Sequence, residues 1–368
     1  MGLSVGIVGL PNVGKSTLFN SLSSAKAEAA NYPFCTIEPN VGVVMVPDER
    51  LKALDDVVHS ERIVPTTIEF VDIAGLVRGA SKGEGLGNQF LSHIREAAAI
   101  VQVARCFEDA NIVHVENRVN PVGDIEVVTT ELCLKDLDTV NKRLDKARKA
   151  AKGNDAKEKV AVEVCEILSK HLDAGLPART AKTPDSIDAK AIVKDMQLLT
   201  TKPTFYVANV DEASLSNLDK NPHYKALCEF AAKEGAPVVP VCAALEEQIA
   251  QLDPKDRPEF LESAGLKEPG LNAVIRAGYK LLDLLTFFTA GKPEVRAWTT
   301  VVGARAPQAA GVIHTDFEKG FIKAEVIWWE DYVALGSESK CREAGKLAIE
   351  GKEYVVRDGD VMHFRFNV

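Results

Sequence analysis

The sequence predicts an α/β protein with a mainly parallel sheet, a helical coiled-coil insertion and a closing α+β domain. Three observations carry this. The first third alternates short apolar runs with helical stretches. Charged helix formers then replace β-branched alternation from about residue 129 to residue 199. Short β-rich runs return after Leu282. Taken in order, Leu3–Val8, Ile68–Val71 and Ile100–Cys106 read as strands, and a helix opening at Lys15 takes in Thr17–Leu22. That rhythm is a parallel sheet wrapped by helices. Thr204–Ala208, the helical Tyr224–Lys233 and the apolar Val238–Cys242 resume it, so the sheet is interrupted by an insertion. Within the insertion, Leu137, Val140, Leu144, Ala147 and Ala151 recur at spacings of 3 and 4, a coiled-coil seam. Gly153-Asn154-Asp155 supplies a turn, and Val160, Val164, Ile167 and His171 continue the spacing beyond it. An antiparallel helical hairpin follows. Val295–Val302, Phe321–Ile327 and Tyr354–Val356 read as strands around a short helical piece near His314. The expected domains are 1–128 with 200–281 for the sheet, 129–199 for the helical insertion and 282–368 for the last.

Composition narrows the classes. A chain of 368 residues, 46% hydrophobic and 26% charged, has length for two or three cored domains. It shows neither a run of about 18 apolar residues nor the basic start and small-residue cleavage site of a secretory signal. A cytoplasmic protein with no membrane partner is expected. The seven cysteines, at 35, 106, 133, 165, 228, 242 and 341, are scattered without a CxxC pair, and read as reduced thiols. A net charge of −9 argues against indiscriminate binding to phosphate backbones, so any nucleic-acid contact must be local.

Gly9-Leu10-Pro11-Asn12-Val13-Gly14-Lys15-Ser16 matches GxxxxGK[ST] and lies between a strand and a helix, the context that gives the motif its meaning. Chance would produce the four fixed positions in roughly one chain in a hundred of this length. The glycines let the backbone curl so that successive amides face inward, and the helix N-terminus adds its positive end. Lys15 adds a mobile charge for the β and γ phosphates, and Ser16 a hydroxyl for Mg2+. Asn12, Val13, Gly14, Lys15, Ser16 and Thr17 are the candidate phosphate-binding residues.

The strand Ile68–Val71 runs into Asp72-Ile73-Ala74-Gly75, placing a carboxylate near magnesium and the Gly75 amide near the γ phosphate. Thr36 stands between the two motifs in Phe34-Cys35-Thr36-Ile37-Glu38-Pro39, where a switch threonine completes the magnesium shell. The candidate metal ligands are therefore Ser16, Thr36 and Asp72. Gly75, Gly79, Gly83, Gly85 and Gly87 stud a polar loop, the candidate switch. Further on, Thr204–Ala208 ends in Asn209-Val210-Asp211-Glu212. A guanine site is ordinarily Asn-Lys-x-Asp, its last carboxylate accepting from two donors of the base. Val210 removes the lysine and Glu212 adds a methylene at the reading position, which weakens GTP preference because unpaired polar groups discriminate strongly. Asn209, Val210 and Glu212 are the candidate base site. Cys242-Ala243-Ala244 stands where Ser-Ala-Lys is usual, without the lysine.

These motifs, with Asn31-Tyr32-Pro33 leading into Phe34–Asn40, Leu76-Val77 after Gly75, and Gly83-Glu84-Gly85-Leu86-Gly87-Asn88, resemble the YchF or Obg-like ATPase subfamily of the translation-factor-class GTPases. The resemblance covers essentially the whole chain. It implies a G domain, a coiled-coil insertion and a C-terminal TGS domain of the β-grasp type, which His314-Thr315-Asp316-Phe317 and Asp358-Gly359-Asp360-Val361 fit. It also implies ATP hydrolysis in preference to GTP with Mg2+, and the ribosome or a ribosomal subunit as partner; related enzymes with an Asn in this loop use it to hold K+ as an activator, although Asn12 as readily only shapes the loop. Leu76 stands where Ras-like enzymes place a water-orienting glutamine. The resemblance implies His114, in the loop Asp109–Val115, as the catalytic substitute, although on bare chemistry it is as readily a surface histidine. RNA is a further expected partner, through the TGS or coiled-coil domain. Trp298, Trp328 and Trp329 offer it stacking surfaces, although such aromatics more often fill a core. From the residues alone three readings stay open: an ATP-driven switch, a GTPase with a divergent base motif, and a nucleotide-binding scaffold or RNA-binding protein without turnover.

Overall fold

A computed structural model describes residues 4–24, 40–73, 86–113, 118–153 and 155–367, with the side chains of 86–89 excepted. In chain order the first elements are β1 (Ser4–Val8), α1 (Lys15–Ser24), β2 (Val41–Met45), α2 (Glu49–Val58), β3 (Ile63–Val64), β4 (Thr67–Asp72), α3 (Leu86–Glu96) and β5 (Ala99–Arg105). The helices α4 (Pro121–Ala151), α5 (Ala156–Asp173) and α6 (Ile187–Asp195) follow, then β6 (Thr204–Asn209), α7 (Glu212–Leu215), α8 (Pro222–Glu234) and β7 (Val238–Val241). Next come α9 (Ala243–Gln251), α10 (Arg257–Ser263), α11 (Gly270–Leu281), β8 (Leu284–Ala290), β9 (Val295–Val301), α12 (Ala306–Ile313) and α13 (Thr315–Lys319). The chain closes with β10 (Phe321–Trp328), α14 (Trp329–Leu335), α15 (Glu338–Glu343), β11 (Ala348–Glu350) and β12 (Asp360–Phe366). Two compact units result. The described residues of Met1–Val43 and Glu69–Ala277 form the first, and Val44–Ile68 with Gly278–Val368 form the second.

The first unit is built on a sheet in the order β2-β4-β1-β5-β6-β7. Every residue of β1, β5 and β6 is buried, as strands covered on both faces require. β1 pairs in parallel with β4 and β5, and β6 with β5 and β7. The registers Ile7↔Asp72, Arg105↔Asn209 and Asn209↔Val241 bring the carboxyl ends of these strands into line, the place where open α/β sheets gather their ligands.

Asn120 caps α4 by accepting from the Gly123 amide, with Pro121 in its first turn. The helix runs 31 residues, about 46 Å at 1.5 Å per residue. Asp155 caps α5 through the Lys157 and Glu158 amides. Val140, Leu144 and Ala147 meet Ala161, Val164, Cys165, Leu168 and Leu172 in one core. The second arm is therefore rotated by one residue from the expected seam. Only Val164 keeps its place; Val160 and Ile167 are half-buried, and His171 Nε2 lies 2.8 Å from Thr180 Oγ1 instead. Arg143 and Glu158 cross-link the arms through two bonds of 2.8 and 3.0 Å. Buried Asp136 accepts from the Leu199 and Thr200 amides and the Thr200 hydroxyl, tying α4 to the return into β6. Despite a core of their own, these helices fall within the first unit.

The second unit has a mixed sheet in the order β11-β10-β12-β8-β9-β3. β8–β9 and β10–β12 are antiparallel, whereas β12 and β8 pair in parallel at the centre, the β-grasp arrangement. Ala306, Ala309 and Ala310 of α12 pack with Leu285, Phe287, Ala324 and Phe364. A second core joins Leu51 and Leu54 of α2 and Tyr332 of α14 to Phe288, Val295, Ala297, Ile327 and Val361. The assignment of residues 44–68 to the first domain is thus corrected. α2 buries its apolar stripe against this sheet, and β3 extends it through Ile63↔Val295. Tyr354–Val356 is not a strand either; Val355 makes only an isolated bridge with Arg305, whereas β8, β11 and β12 are strands that the sequence pattern did not announce. Trp298 and Trp329 pack against the two cores, while Trp328 is 36% exposed. Among the described residues no helix is long and apolar enough to cross a membrane.

Candidate nucleotide-binding site

The segment between β1 and α1 is shaped by two left-handed residues, Asn12 at φ 63° and Gly14 at φ 95°. At Gly14 a Cβ would lie 2.1 Å from Asn209 Nδ2, so both conformation and space demand glycine. Lys15 is buried, and its ammonium bonds to Asp72 Oδ1. Ser16 is exposed in the first turn of α1 and Thr17 half-buried. Asn12 turns its amide outward and donates to the Val113 carbonyl at 3.0 Å.

Beside this loop opens a cavity of about 490 Å³, within the range of small-molecule sites. Asn12, Gly14 and Thr17 line one side, Phe107, Glu108, Asp109 and Ile112 a second, and Asn209–Glu212 with Cys242–Leu245 a third. Asn209 is a staple. Its Nδ2 donates to the Val13 carbonyl at 2.9 Å, and its Oδ1 accepts from the Ala243 amide at 3.0 Å, all in the interior. Val210 is 1% exposed and packs with Ala104, Cys106 and Tyr206, so its side chain serves the core. Asp211 caps α7 by accepting from the Ser214 amide and hydroxyl. Glu212 is exposed on the cavity wall, the carboxylate of this motif not engaged in capping.

Arg105, the last residue of β5, belongs to none of the sequence motifs. It is 2% exposed, and its guanidinium donates to the carbonyls of Phe107, Asp109 and Ile112 at 2.9–3.0 Å. It also lies 4.7 Å from the Phe107 ring centroid. The available signal was a cation closing the run Ala99–Ala104, apolar but for Gln102, which demands acceptors in the interior. Burial pushes the neighbouring Cys106 thiol up to about 12, so it is inert. Thr36, Gly75 and His114 lie outside the described residues, as does the candidate switch up to Gly85. Gly87 is helical, since α3 begins at Leu86.

Residues 4–136 match the family model of a 50S ribosome-binding GTPase. Residues 284–367 match the C-terminal model of YchF GTPases, described as a protein of unknown function (DUF933). The chain is 58% identical over its full length, and that of the relative, to the ribosome-binding ATPase YchF of Haemophilus influenzae. It is 51% identical, again over both whole chains, to the protein of that name from Bacillus subtilis. The chain belongs to the YchF family. The solved structure of the Schizosaccharomyces pombe YchF GTPase superposes with a TM-score of 0.87 at 38% identity, covering 99% of this chain and 98% of that one. On this YchF fold, Asn12, Gly14, Thr17, Asn209, Val210 and Glu212 come together around one cavity, with the Lys15–Asp72 pair in the same unit.

Proposed function

We propose that this chain binds and slowly hydrolyses ATP, in preference to GTP, and that its nucleotide state governs docking on the ribosome. The observation that carries the reading is the cavity that joins the P-loop to Asn209–Glu212 and Cys242–Leu245, a phosphate end and a base end in one enclosure. Its curated relatives are named ribosome-binding ATPases. Hydroxyl and carboxylate oxygens suit a hard cation, so Ser16 and Asp72, with Thr36, would hold Mg2+. That ion would neutralise phosphate charge. Lys15 exchanges Asp72 for phosphate oxygens when nucleotide enters, which frees the carboxylate. At the base end Val210 brings no cation, and Glu212 opens α7 with one methylene more than the guanine-reading aspartate; both weaken guanine recognition. Asn12 spends its amide group on Val113, leaving Oδ1 as the atom to hold K+. His114 positions the attacking water. The protein works in the cytoplasm.

For the ribosome we propose the hairpin tip as the contact with RNA. Residues 142–159 hold eight Lys and Arg against three Asp and Glu, in a chain of net charge −9. Lys146, Lys149, Lys152 and Lys157 are exposed there. A local basic surface of this kind displaces counterions from phosphates. Replacing Lys146, Lys149 and Lys152 by Glu should weaken co-sedimentation with ribosomal subunits and flatten its salt dependence; unchanged sedimentation refutes the surface.

The test of the catalytic reading is steady-state phosphate release with ATP and GTP in parallel, repeated with Lys15→Ala. ATP turnover that vanishes in the variant supports it. Tight binding without release, or a strong GTP preference, overturns it.

A further inference from the structure

We infer that Arg105 is a positioning residue for the nucleotide cavity: through three main-chain carbonyls its guanidinium fixes the wall formed by Phe107, Asp109 and Ile112. The inference rests on the proposed nucleotide site and names a residue that no motif of that site contains. Arg105 is among the largest fully buried side chains, and no salt bridge among the described residues engages it. A buried cation without a counter-ion persists only where fixed dipoles replace its water. Here those dipoles are the carbonyls of Phe107, Asp109 and Ile112. The guanidinium fork reaches several acceptors at set angles, which a lysine ammonium on a flexible stem does not reproduce.

The three carbonyls belong to one irregular segment, and that segment supplies four residues of the cavity wall. Among the described residues little else fixes it. Asn111 and Ile112 donate inward to Asp109, Asn221 Nδ2 donates to the Cys106 carbonyl at its start, and Asn12 holds the Val113 carbonyl at its end. His223 and Glu108 pair at the surface. The fork of Arg105 is the contact that spans the interior of the segment. Because β5 pairs with β6 in the register Arg105↔Asn209, the residue that shapes this wall lies beside the residue that staples the P-loop. A side chain with no route to the ligand thereby sets how completely the cavity is formed before nucleotide arrives.

The test is Arg105→Lys, with Leu144→Ala in the helical hairpin as a control for general destabilisation. Amide hydrogen exchange of residues 107–113 in the nucleotide-free protein should rise at least about tenfold in Arg105→Lys, with β5 and β6 unchanged. The Kd for ATP, and KM with it, should rise about tenfold while kcat moves less than about threefold, as expected for lost preorganisation. Leu144→Ala should leave both unmoved. Exchange at 107–113 that stays at the wild-type rate overturns the inference whether or not nucleotide binds. So does faster exchange with an unaltered Kd, or an equal loss of affinity in Leu144→Ala. Failure of the wild-type protein to bind ATP at all overturns the nucleotide reading instead, and is read without any variant.

Discussion

Asn209→Ala separates a base-contacting asparagine from the staple seen in the structure. The side chain holds the Val13 carbonyl at 2.9 Å and the Ala243 amide at 3.0 Å. It is 4% exposed, so water does not replace it easily. Truncation leaves one buried acceptor and one buried donor unpaired, each costing about 1–3 kcal/mol, or about 2–6 kcal/mol together. In a unit of this size each kcal/mol moves Tm by about 2–4 °C, so nucleotide-free Asn209→Ala should melt roughly 4–24 °C below wild type. Asn209→Asp should be no better. It keeps an acceptor for Ala243 but sets a carboxylate oxygen against the Val13 carbonyl. Differential scanning calorimetry without nucleotide is the decisive assay, since a residue that only touches the base contributes nothing there. A melting temperature within about 2 °C of wild type for either variant would refute the staple, on the same scale.

Three further outcomes follow from the same geometry. Gly14→Ala should abolish saturable ATP uptake, because the left-handed conformation costs about 1–2 kcal/mol for a residue with a Cβ and that Cβ would displace Asn209; equilibrium dialysis with labelled ATP checks it. In the hairpin, Leu168→Ala should cost about 2–5 kcal/mol in urea denaturation as a buried truncation, and Ile167→Ala less than half of that, an order the expected seam would reverse. Burial pushes the Cys106 and Cys133 thiols from 9.0 up to about 12. With the folded pKa above the unfolded one, their stabilising contribution is whole below about pH 9 and is lost as pH rises towards 12. Stability should decline over that window, and less steeply once both are replaced by serine; parallel melting curves would contradict the assignment.

The parallel sheet and the phosphate loop were legible because their signals are local. GxxxxGK[ST] fixes a turn whose strand and helix lie within a few residues of it, and fully buried strands announce themselves as continuous apolar runs. What escaped was long-range. The segment 44–68 lies next to β4 in sequence, yet Ile63 pairs with Val295 and Leu54 packs with Phe288 and Val361. No pattern inside the segment names a partner so far along the chain. The second arm of the hairpin failed differently. Val160, Val164, Ile167 and His171 compete with Ala161, Cys165, Leu168 and Leu172 at the same spacings, and only the opposing helix decides between stripes one residue apart.

The site divides along the same line, and the division has a physical cause. Residues proposed to meet a nucleotide through their own chemistry, such as Lys15, Ser16 and Asp72, come in types and spacings that state their task. Residues that shape the cavity do so by satisfying main-chain groups, and any side chain with matching donors and acceptors serves. Asn209 looked like a reader of the base because its motif position suggests one, yet both ends of its amide are committed to Val13 and Ala243. Arg105 carried no motif at all, only an oddity: a cation ending a run of six buried residues. Such a charge is costly to bury unless its surroundings are already ordered. Among the described residues Arg105 has no carboxylate partner, and the carbonyls of Phe107, Asp109 and Ile112 take that place. On the positioning role proposed for Arg105, the wall of the cavity is formed before any ligand is there to form it.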